Sequence, residues 1–308
     1  MVLRTYDSAD LANLVRLQNA CTPAHKLSAN EVLRDEQTLG PELQRIIFIA
    51  ECDGAPIGYA IAQRMAGMYH PQKFVLDLGV EPTLRNQGVG EALYQAIEQE
   101  LQTLDVLSIA VQVSEADEPS LRFASKRGYQ EQKRDFVSTL DLTALDEPEL
   151  PSTPVGVEFK SFTEVDSPDF RREWHNLFCE VRHDVPRSAP PTPISFEFFD
   201  EQVIEEPDFA PHLTLFAWQG GRLVGFTGAY IDQASGRVDQ WLTAVHRGAR
   251  GQKIAVALKI RQIIAAKQAG LKHIQTDNDS RNTPMLAINE RLGFVRQPAV
   301  MSMRRDFQ

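Results

Sequence analysis

The order of secondary-structure elements along this chain occurs twice, and this duplication restricts the possible folds more than any other feature. In each half a short strand and a helix precede two strands joined by a tight turn. A third strand then runs into a loop with glycine and arginine and an amphipathic helix, followed by a fourth strand, a last helix and a final strand. The spacing is also similar, with 27 residues from Gly58 to Arg85 and 25 from Gly225 to Arg250. Matching order and spacing indicate an internal repeat.

The tight turns and the alternation of apolar residues set the expected elements. Asp53-Gly54 and Gly220-Gly221 supply the positive φ that a two-residue hairpin needs. Helices are expected over Asp10–Asn19 and Phe170–Val181 at the start of each half. The predicted strands are Val2–Thr5, Ile46–Glu51, Pro56–Ile61, Phe74–Val80, Val106–Val113 and Phe136–Leu140 in the first half, and Val155–Phe162, Leu213–Trp218, Leu223–Ala229, Val238–Val245, His273–Asp277 and Ala299–Arg304 in the second.

A proline-rich segment separates the two halves. Pro148, Pro151 and Pro154 stand among acidic residues, and such a run continues neither a helix nor a central strand. We therefore predict an N-terminal module over residues 1–145, a linker over 146–154 and a C-terminal module over 155–308. The length of 308 residues agrees with two domains.

The net charge of −10 argues against a nucleic-acid partner, which would require a basic face. Residues 1–150 hold 13 Lys and Arg against 23 Asp and Glu, whereas the rest holds 19 of each, so the excess acidity belongs to the first half. Three scattered cysteines favour a reduced, cytoplasmic compartment over a disulfide framework or a zinc site. The chain has no apolar run long enough to span a membrane. We expect a monomer or a homodimer, with no metal.

The strongest chemical signal follows the third strand of the first half. After Val80 and Pro82 comes the run Arg85-Asn86-Gln87-Gly88-Val89-Gly90, which leads into a helix. The first N–H groups of a helix have no partner within the helix, and the helix dipole adds positive potential. Glycines let a diphosphate approach the backbone closely. The run is neither a Walker loop nor a dinucleotide fingerprint, and it predicts an anion-binding loop.

This run resembles the motif of the GNAT superfamily of N-acetyltransferases, Gln/Arg-x-x-Gly-x-Gly/Ala, and matches it at every position. The second half carries Arg250-Gly251-Gln252-Lys253-Ile254-Ala255, in which Lys253 replaces the middle glycine. The resemblance covers nearly the whole chain. It implies an α/β fold of two tandem GNAT-like domains, each a twisted mixed β-sheet flanked by α-helices.

The resemblance also implies an acetyl-CoA site in each competent module. The loop N–H groups would hold the diphosphate, and the pantetheine arm would pair with the strand before the loop. In this sequence that strand ends with Leu78-Gly79-Val80 in the first half and Thr243-Ala244-Val245 in the second. Asn278, Asn282 and Asn289 belong to a run that is similar to the C-terminal module of tandem GNAT proteins, and we include them among the candidate cofactor contacts.

The acid and the base of the reaction are less well marked. The family often has a tyrosine acid four residues before a glycine of the last helix, but Ala124 stands there in the first half and Asn289 in the second. Neither can donate a proton as an acid. Asp77 and Asp239 are candidate bases, because a carboxylate in a narrow site can have a raised pKa. The alternative for each is a strand residue facing solvent.

Other features of the sequence have two interpretations each. Lys253 either adds a positive charge for phosphate or crowds the loop. His183 beside Asp184 is either a base or a surface pair. The acidic residues Glu31, Asp35 and Glu36 form either a solvated helix face or a rim that attracts cationic amines.

The sequence thus predicts an acetyl-CoA-dependent N-acetyltransferase. Its acceptor would be the primary amine of a small molecule, cationic if the acidic first half attracts it, and this amine attacks directly in a ternary complex. The alternative is an acyl-CoA-binding protein in which one or both modules do not catalyse. A different acyl group, such as succinyl, also remains open.

Overall fold

The computed structural model describes residues 1–22, 27–29, 32–33, 43, 45–65, 68–145, 152–186, 191–233 and 235–307. The acidic residues Glu31, Asp35 and Glu36 lie outside the described residues, as do residues 146–151 of the predicted linker. Within the described part of the chain, every helix is too short or too polar to cross a bilayer.

The strands follow the predicted order, and most bounds agree with the sequence to within two residues. They are β1 (Val2–Thr5), β2 (Arg45–Cys52), β3 (Ala55–Gln63), β4 (Lys73–Val80), β5 (Ser108–Ser114), β6 (Gln130–Asp141), β7 (Val157–Ser161), β8 (Leu215–Gln219), β9 (Arg222–Asp232), β10 (Arg237–Val245), β11 (His273–Asp279), β12 (Val295–Arg296) and β13 (Val300–Asp306). The two-residue β12 was not predicted.

The principal helices flank these strands. They are α1 (Leu11–Cys21), α2 (Val89–Gln102), α3 (Glu118–Lys126), α4 (Phe162–Val165), α5 (Pro168–Val181), α6 (Phe196–Phe199), α7 (Ile254–Gln268) and α8 (Thr283–Arg291). Short 3₁₀ turns include Pro82–Leu84, Arg182–Asp184 and Arg247–Ala249.

The chain forms two compact units. The first contains residues 1–132 and 301–308, and the second contains residues 133–300. In the first unit the strand order is β1-β2-β3-β4-β5-β13. In the second it is β6-β11-β10-β9-β8-β7, with β12 also pairing with β6. The pairs β4–β5 and β10–β11 are parallel, so each unit has a mixed sheet as expected.

The last strand of each half belongs to the other unit, which differs from the predicted division at residues 146–154. Most of β6 pairs with β11 of the second unit, from Asp135 opposite Asp279 to Asp141 opposite His273. The C-terminal residues join the first unit, where Phe307 donates its N–H to the Leu107 carbonyl at 2.8 Å. Strand patterning shows that a segment needs a partner but not which strand it will pair with, so the exchange was not predictable.

Helices cover both faces of the first unit's sheet. On one face α2 buries Leu93 and Ile97 against Phe74, and on the other α1 buries Leu14 and Leu17. The 3.6-residue period places the apolar residues of each helix on one side. Each fully buried leucine or isoleucine contributes roughly 1.5–3 kcal/mol relative to an exposed one. This packing fixes the ends of α1 and α2 beside β4.

The second unit has an aromatic core below α5. Trp174 and Phe199 are fully buried with Phe216 and Phe226 of the sheet, and the rings of Trp174 and Phe216 meet edge to face, 4.9 Å apart. Large rings leave a helix few alternative packings. The core therefore holds α5 firmly, together with the Arg182–Asp184 turn that follows it.

Candidate functional site

The loop before α2, residues 81–88, has the geometry of an anion-binding turn, and we name it the first loop. Asn86 and Gly88 adopt positive φ angles of 63° and 85°. Gly88 is the N-cap of α2 and provides no side-chain cap, so the first N–H groups of the helix are available to a ligand. A Cβ at Gly88 would meet nothing within 4 Å. The predicted loop residues therefore present an open helix N-terminus.

The corresponding loop before α7, residues 246–253, is the second loop, and it repeats this backbone. Gly251 and Lys253 have positive φ angles of 79° and 62°, at the positions that Asn86 and Gly88 hold in the first loop. Arg250 donates from Nε to the Val245 carbonyl at 2.9 Å, and Arg85 does so to the Val80 carbonyl at 3.3 Å.

Lys253 does not distort the second loop. Lys253 is exposed, and its backbone has the same left-handed conformation as Gly88, its counterpart in the first loop. This geometry favours the interpretation of Lys253 as an added charge over that of a side chain crowding the loop.

Beside each loop the two parallel strands separate. β4 pairs with β5 only from Lys73 to Val75, and β10 pairs with β11 only from Arg237 to Gln240. Beyond these points the backbone groups of β4 and β10 on that side have no strand partner among the described residues. Backbone N–H and C=O groups without a strand partner can form hydrogen bonds with the amide groups of an extended ligand. Leu78-Gly79-Val80 and Thr243-Ala244-Val245, the residues predicted to pair with the pantetheine arm, lie in these separated segments.

Gly79 allows a close approach of side chains to β4. A Cβ at this position would lie 2.4 Å from the Tyr59 ring and 2.7 Å from Cys21 Sγ, distances that exclude any side chain. Tyr59 is almost fully buried, and Cys21 Sγ donates to the Val80 carbonyl at 3.4 Å. The end of α1 therefore packs directly on the strand beside the first loop.

Asp77, one of the two predicted bases, lies in this cluster. Its carboxylate accepts hydrogen bonds from the Tyr59 hydroxyl at 3.1 Å and from Gln18 Nε2 at 3.3 Å. The residue retains solvent-accessible surface, yet desolvation by the surrounding protein raises the pKa of the carboxyl above its usual value, against the effect of these two donors. An accessible carboxylate with a raised pKa is suited to accept a proton.

The second unit has no carboxylate at the equivalent point of β10. A β-bulge between Gln240 and Thr243 inserts an extra residue there, and Trp241 stacks on Phe178 with ring centroids 5.2 Å apart. Asp239, the second predicted base, precedes the bulge and is bound by Arg237, with Nε–Oδ1 and Nη2–Oδ2 distances of 2.8 and 3.0 Å. The structure thus places Asp77, but not Asp239, beside the separated strands.

The three predicted asparagines lie at the β11 side of the second unit. Asn289 is buried and donates from Nδ2 to Asn278 Oδ1 at 2.5 Å. Its Oδ1 is buried with no hydrogen-bond partner in the described part of the chain. Asn282 is the N-cap residue of α8, without a side-chain cap bond. In the first unit Ala124 is buried, so the usual position of the acid carries no hydroxyl.

Sequence reasoning missed a buried polar network in the second unit. Lys259 of α7 is almost fully buried, and its Nζ donates to Gln240 Oε1. Gln240 in turn donates to Gln262, and Thr227 and Thr243 are joined through their hydroxyls at 2.8 Å. Burial lowers the pKa of Lys259 to about 7. A lysine and a glutamine three residues apart are typical of an exposed helix face, so the sequence gave no signal.

Asp184 makes contacts that the sequence did not suggest. It accepts from Arg247 Nε at 3.0 and 3.1 Å and from Arg250 Nη2 at 2.5 Å. His183 beside it is exposed. The Asp184 carboxylate is bound by the arginines of the second loop. The structure therefore favours neither a base at His183 nor a surface pair of His183 with Asp184.

Comparisons with known proteins agree with this architecture. A GCN5-related N-acetyltransferase from Sphaerobacter thermophilus matches with a TM-score of 0.75 and 22% identity, covering 99% of this chain and 95% of that one. A tandem GNAT protein from the clavulanic acid biosynthesis pathway matches with a TM-score of 0.77 and 17% identity, covering 99% and 98%. The fold is thus that of two related α/β domains in tandem.

Sequence relatives extend this result. The model of the acetyltransferase (GNAT) family matches residues 11–129 and 171–294. A mycothiol acetyltransferase from Geodermatophilus obscurus is 28% identical over 97% of this chain and 95% of the relative, and one from Clavibacter michiganensis is 28% identical over 83% and 77%. The chain belongs to the GNAT acetyltransferase family, with two GNAT regions, and is an N-acyltransferase.

Proposed function

We propose that the protein transfers an acetyl group from acetyl-CoA to the primary amine of a small acceptor, and that the first unit carries out the reaction. The observation that carries this proposal is the position of Asp77. It lies three residues before the end of β4, beside the separated strands and ahead of the first loop. The second unit has Trp241 and Leu242 at the corresponding bulge.

The first loop is suited to the donor. The open N–H groups at Val89 and Gly90, with the helix dipole, would bind the diphosphate, and Arg85 adds a positive charge at the same end. The backbone groups of Leu78 to Val80 on the side of β4 that has no strand partner among the described residues would hold the pantetheine arm. Acetyl-CoA, when bound, supplies an activated thioester.

Asp77 would act as the general base. An amine acceptor is protonated near neutral pH and must lose its proton before its nitrogen can attack. The raised pKa of Asp77 makes its carboxylate a better proton acceptor than an ordinary aspartate, and the Tyr59 hydroxyl and Gln18 hold it in place. No acid is required at Ala124, because a thiol with a pKa of about 8.5 can leave as a thiolate.

The charge of the first unit supports a cationic acceptor. Residues 1–132 and 301–308 hold 19 acidic against 13 basic residues, and such a field raises the local concentration of cations. The sequence relatives are named mycothiol acetyltransferases, so the acceptor panel for testing should include the amine acceptor of those enzymes beside polyamines, amino sugars, amino acids and neutral peptides.

The test compares the two candidate bases in a thiol-release assay with acetyl-CoA and this panel. Asp77→Asn should lower kcat by about 100-fold or more, the usual contribution of a general base. Asp239→Asn, its matched control in the second unit, should leave kcat unchanged. The proposal would be contradicted if Asp239→Asn lowered kcat and Asp77→Asn did not. It would also be contradicted if none of the amines in the panel supported turnover.

A second candidate function concerns only the second unit, which would not catalyse and would instead bind an acyl-CoA or support the first unit. The aromatic bulge at Trp241 favours a second unit that does not catalyse, and the ion pairs of Asp184 favour the supporting role over the binding of an acyl-CoA. It predicts that variants of the second loop change stability or ligand binding but not kcat.

A further inference from the structure

We propose that Asp184 determines which of the two loops binds CoA, because its carboxylate occupies the anion-binding arginines of the second loop. This inference rests on the proposed function, since it assumes that the first loop binds CoA. It adds a specificity residue for which the GNAT motif itself has no position.

The contact has the form of an anion site filled from within the chain. Arg247 and Arg250 both point their guanidinium groups at the one carboxylate of Asp184, and Arg247 binds it through two nitrogens. Guanidinium groups bind carboxylates and phosphates with the same paired geometry. Asp184 therefore uses the donors that a diphosphate at this loop would need.

The first unit shows the same loop with a single, longer carboxylate contact within the described part of the chain. Arg85 and Arg250 both have an extended backbone, and each donates a hydrogen bond from Nε to the last carbonyl of the preceding strand. Its neighbour from the end of α1 is the uncharged thiol of Cys21, on which Arg85 acts electrostatically. The nearest carboxylate paired with Arg85 in the described residues is Asp117, at 3.9 Å.

Asp184 is held in place and stays charged. Its turn directly follows α5, which is anchored in the aromatic core by Trp174 and Phe178. The hydrogen bond from Arg247, with the further bond from Arg250, keeps the pKa of Asp184 far below that of an ordinary aspartate. A phosphate approaching the second loop would meet a fixed negative charge and arginines that are already paired.

The opposite role is also physically possible, and the two roles differ in sign. If Asp184 only positioned the arginines for phosphate, its removal would weaken CoA binding at the second loop. If it occupies them, its removal frees two guanidinium groups and strengthens binding. The substitution Asp184→Asn keeps the size of the side chain and removes the charge.

Isothermal titration of the full chain with CoA separates these roles. We expect the wild-type protein to bind one CoA and Asp184→Asn to bind two, the second with an affinity raised by about tenfold or more over the wild-type second loop. The double variant Asp184→Asn/Arg250→Ala should bind one again. Glu180→Gln is the matched control: Glu180 is near the end of the same helix and pairs with His246 of the second loop at 3.0 Å, and it acts on Arg247 only through its charge, with no hydrogen bond to its guanidinium group. It should bind one.

Each result decides between the alternatives. Two CoA molecules bound to the wild type, or one bound to Asp184→Asn, would overturn the role of Asp184 and leave the proposed function in place. Binding by neither protein would overturn both. Far-ultraviolet circular dichroism of each variant checks that a lost site is not a lost fold.

Discussion

Lys253 adopts at the N-cap of α7 the left-handed backbone conformation that Gly88 adopts at the N-cap of α2. The duplicated loop has thus kept its shape although a residue with a Cβ replaced the glycine. This conformation costs a residue with a Cβ roughly 1–2 kcal/mol, part of which the lower backbone entropy of the unfolded lysine chain offsets. The shape of the loop is therefore imposed by its surroundings and not by local preference.

Lys253→Gly should accordingly stabilise the protein by about 0.5–1 kcal/mol, measured by urea denaturation. Lys253→Ala should give no such gain, because alanine keeps the Cβ, and this control separates backbone strain from the loss of charge. Equal stabilisation by both variants would assign the effect to the charge.

The pH dependence of the reaction should report the raised pKa of Asp77. A base must be deprotonated, so kcat/KM should fall as the pH drops through a value above the ordinary aspartate pKa of 3.8. Tyr59→Phe removes a donor that stabilises the carboxylate while it retains the buried ring. The pH at which kcat/KM falls on the acid side should therefore be higher in this variant. If the acid side of the pH profile is unchanged in Tyr59→Phe, Tyr59 does not position the Asp77 carboxylate.

Asp77→Asn should also stabilise the fold at neutral pH while it lowers kcat. Because the pKa of Asp77 is raised on folding, the folded state favours the protonated carboxyl, and this contribution to stability is present below about pH 4 and lost as the pH rises through the folded value. An uncharged amide does not carry this cost. Melting temperatures of the two proteins at pH 7 should therefore differ in favour of the variant, and should converge in acid.

Lys259 should destabilise the second unit at neutral pH. Its folded pKa of about 7 lies below the unfolded value of 10.5, so between these values the unfolded chain binds more protons and stability rises with pH. The cost near pH 7 is roughly 4 kcal/mol, at about 1.36 kcal/mol per pH unit. Lys259→Met also leaves the Gln240 oxygen without its partner, at a cost of about 1–3 kcal/mol.

The net expectation for Lys259→Met is a gain of about 2 kcal/mol at pH 7, which shrinks as the pH rises toward 10. Chemical denaturation at several pH values tests it. A gain that is independent of pH would mean that the lysine stays charged in the fold.

The exchanged strand should couple the C-terminus to the stability of the first unit. Met303 is buried in the core that contains Phe74 and Leu93, so Met303→Ala should cost about 2–4 kcal/mol. Hydrogen exchange should then increase in β5 and α2. Met285→Ala, at a half-buried position of α8, is the control and should affect the amides of the second unit. A response to Met303→Ala in the second unit with none in β5 and α2 would contradict the assignment of β13.

Much of the fold could be predicted because its signals are local. The hairpin turns at Asp53-Gly54 and Gly220-Gly221 have the positive φ angles that their residue types predict. The first loop could be located for the same reason, since glycine positions and a following amphipathic helix are read from neighbouring residues. The proposed role of Asp77 was only one of two interpretations, because its partners Gln18 and Tyr59 lie 59 and 18 residues away.

The sequence by itself determined the duplication, the α/β class and the positions of the two loops that precede α2 and α7, because turn residues and hydrophobic periods act over a few residues. Only the tertiary structure decided that the last strand of each half joins the other unit, that Lys259 is buried, and that Asp184 meets Arg250 from 66 residues away. The physical reason is that a strand or a charge specifies the kind of partner it needs, and packing of the whole chain selects which partner it finds.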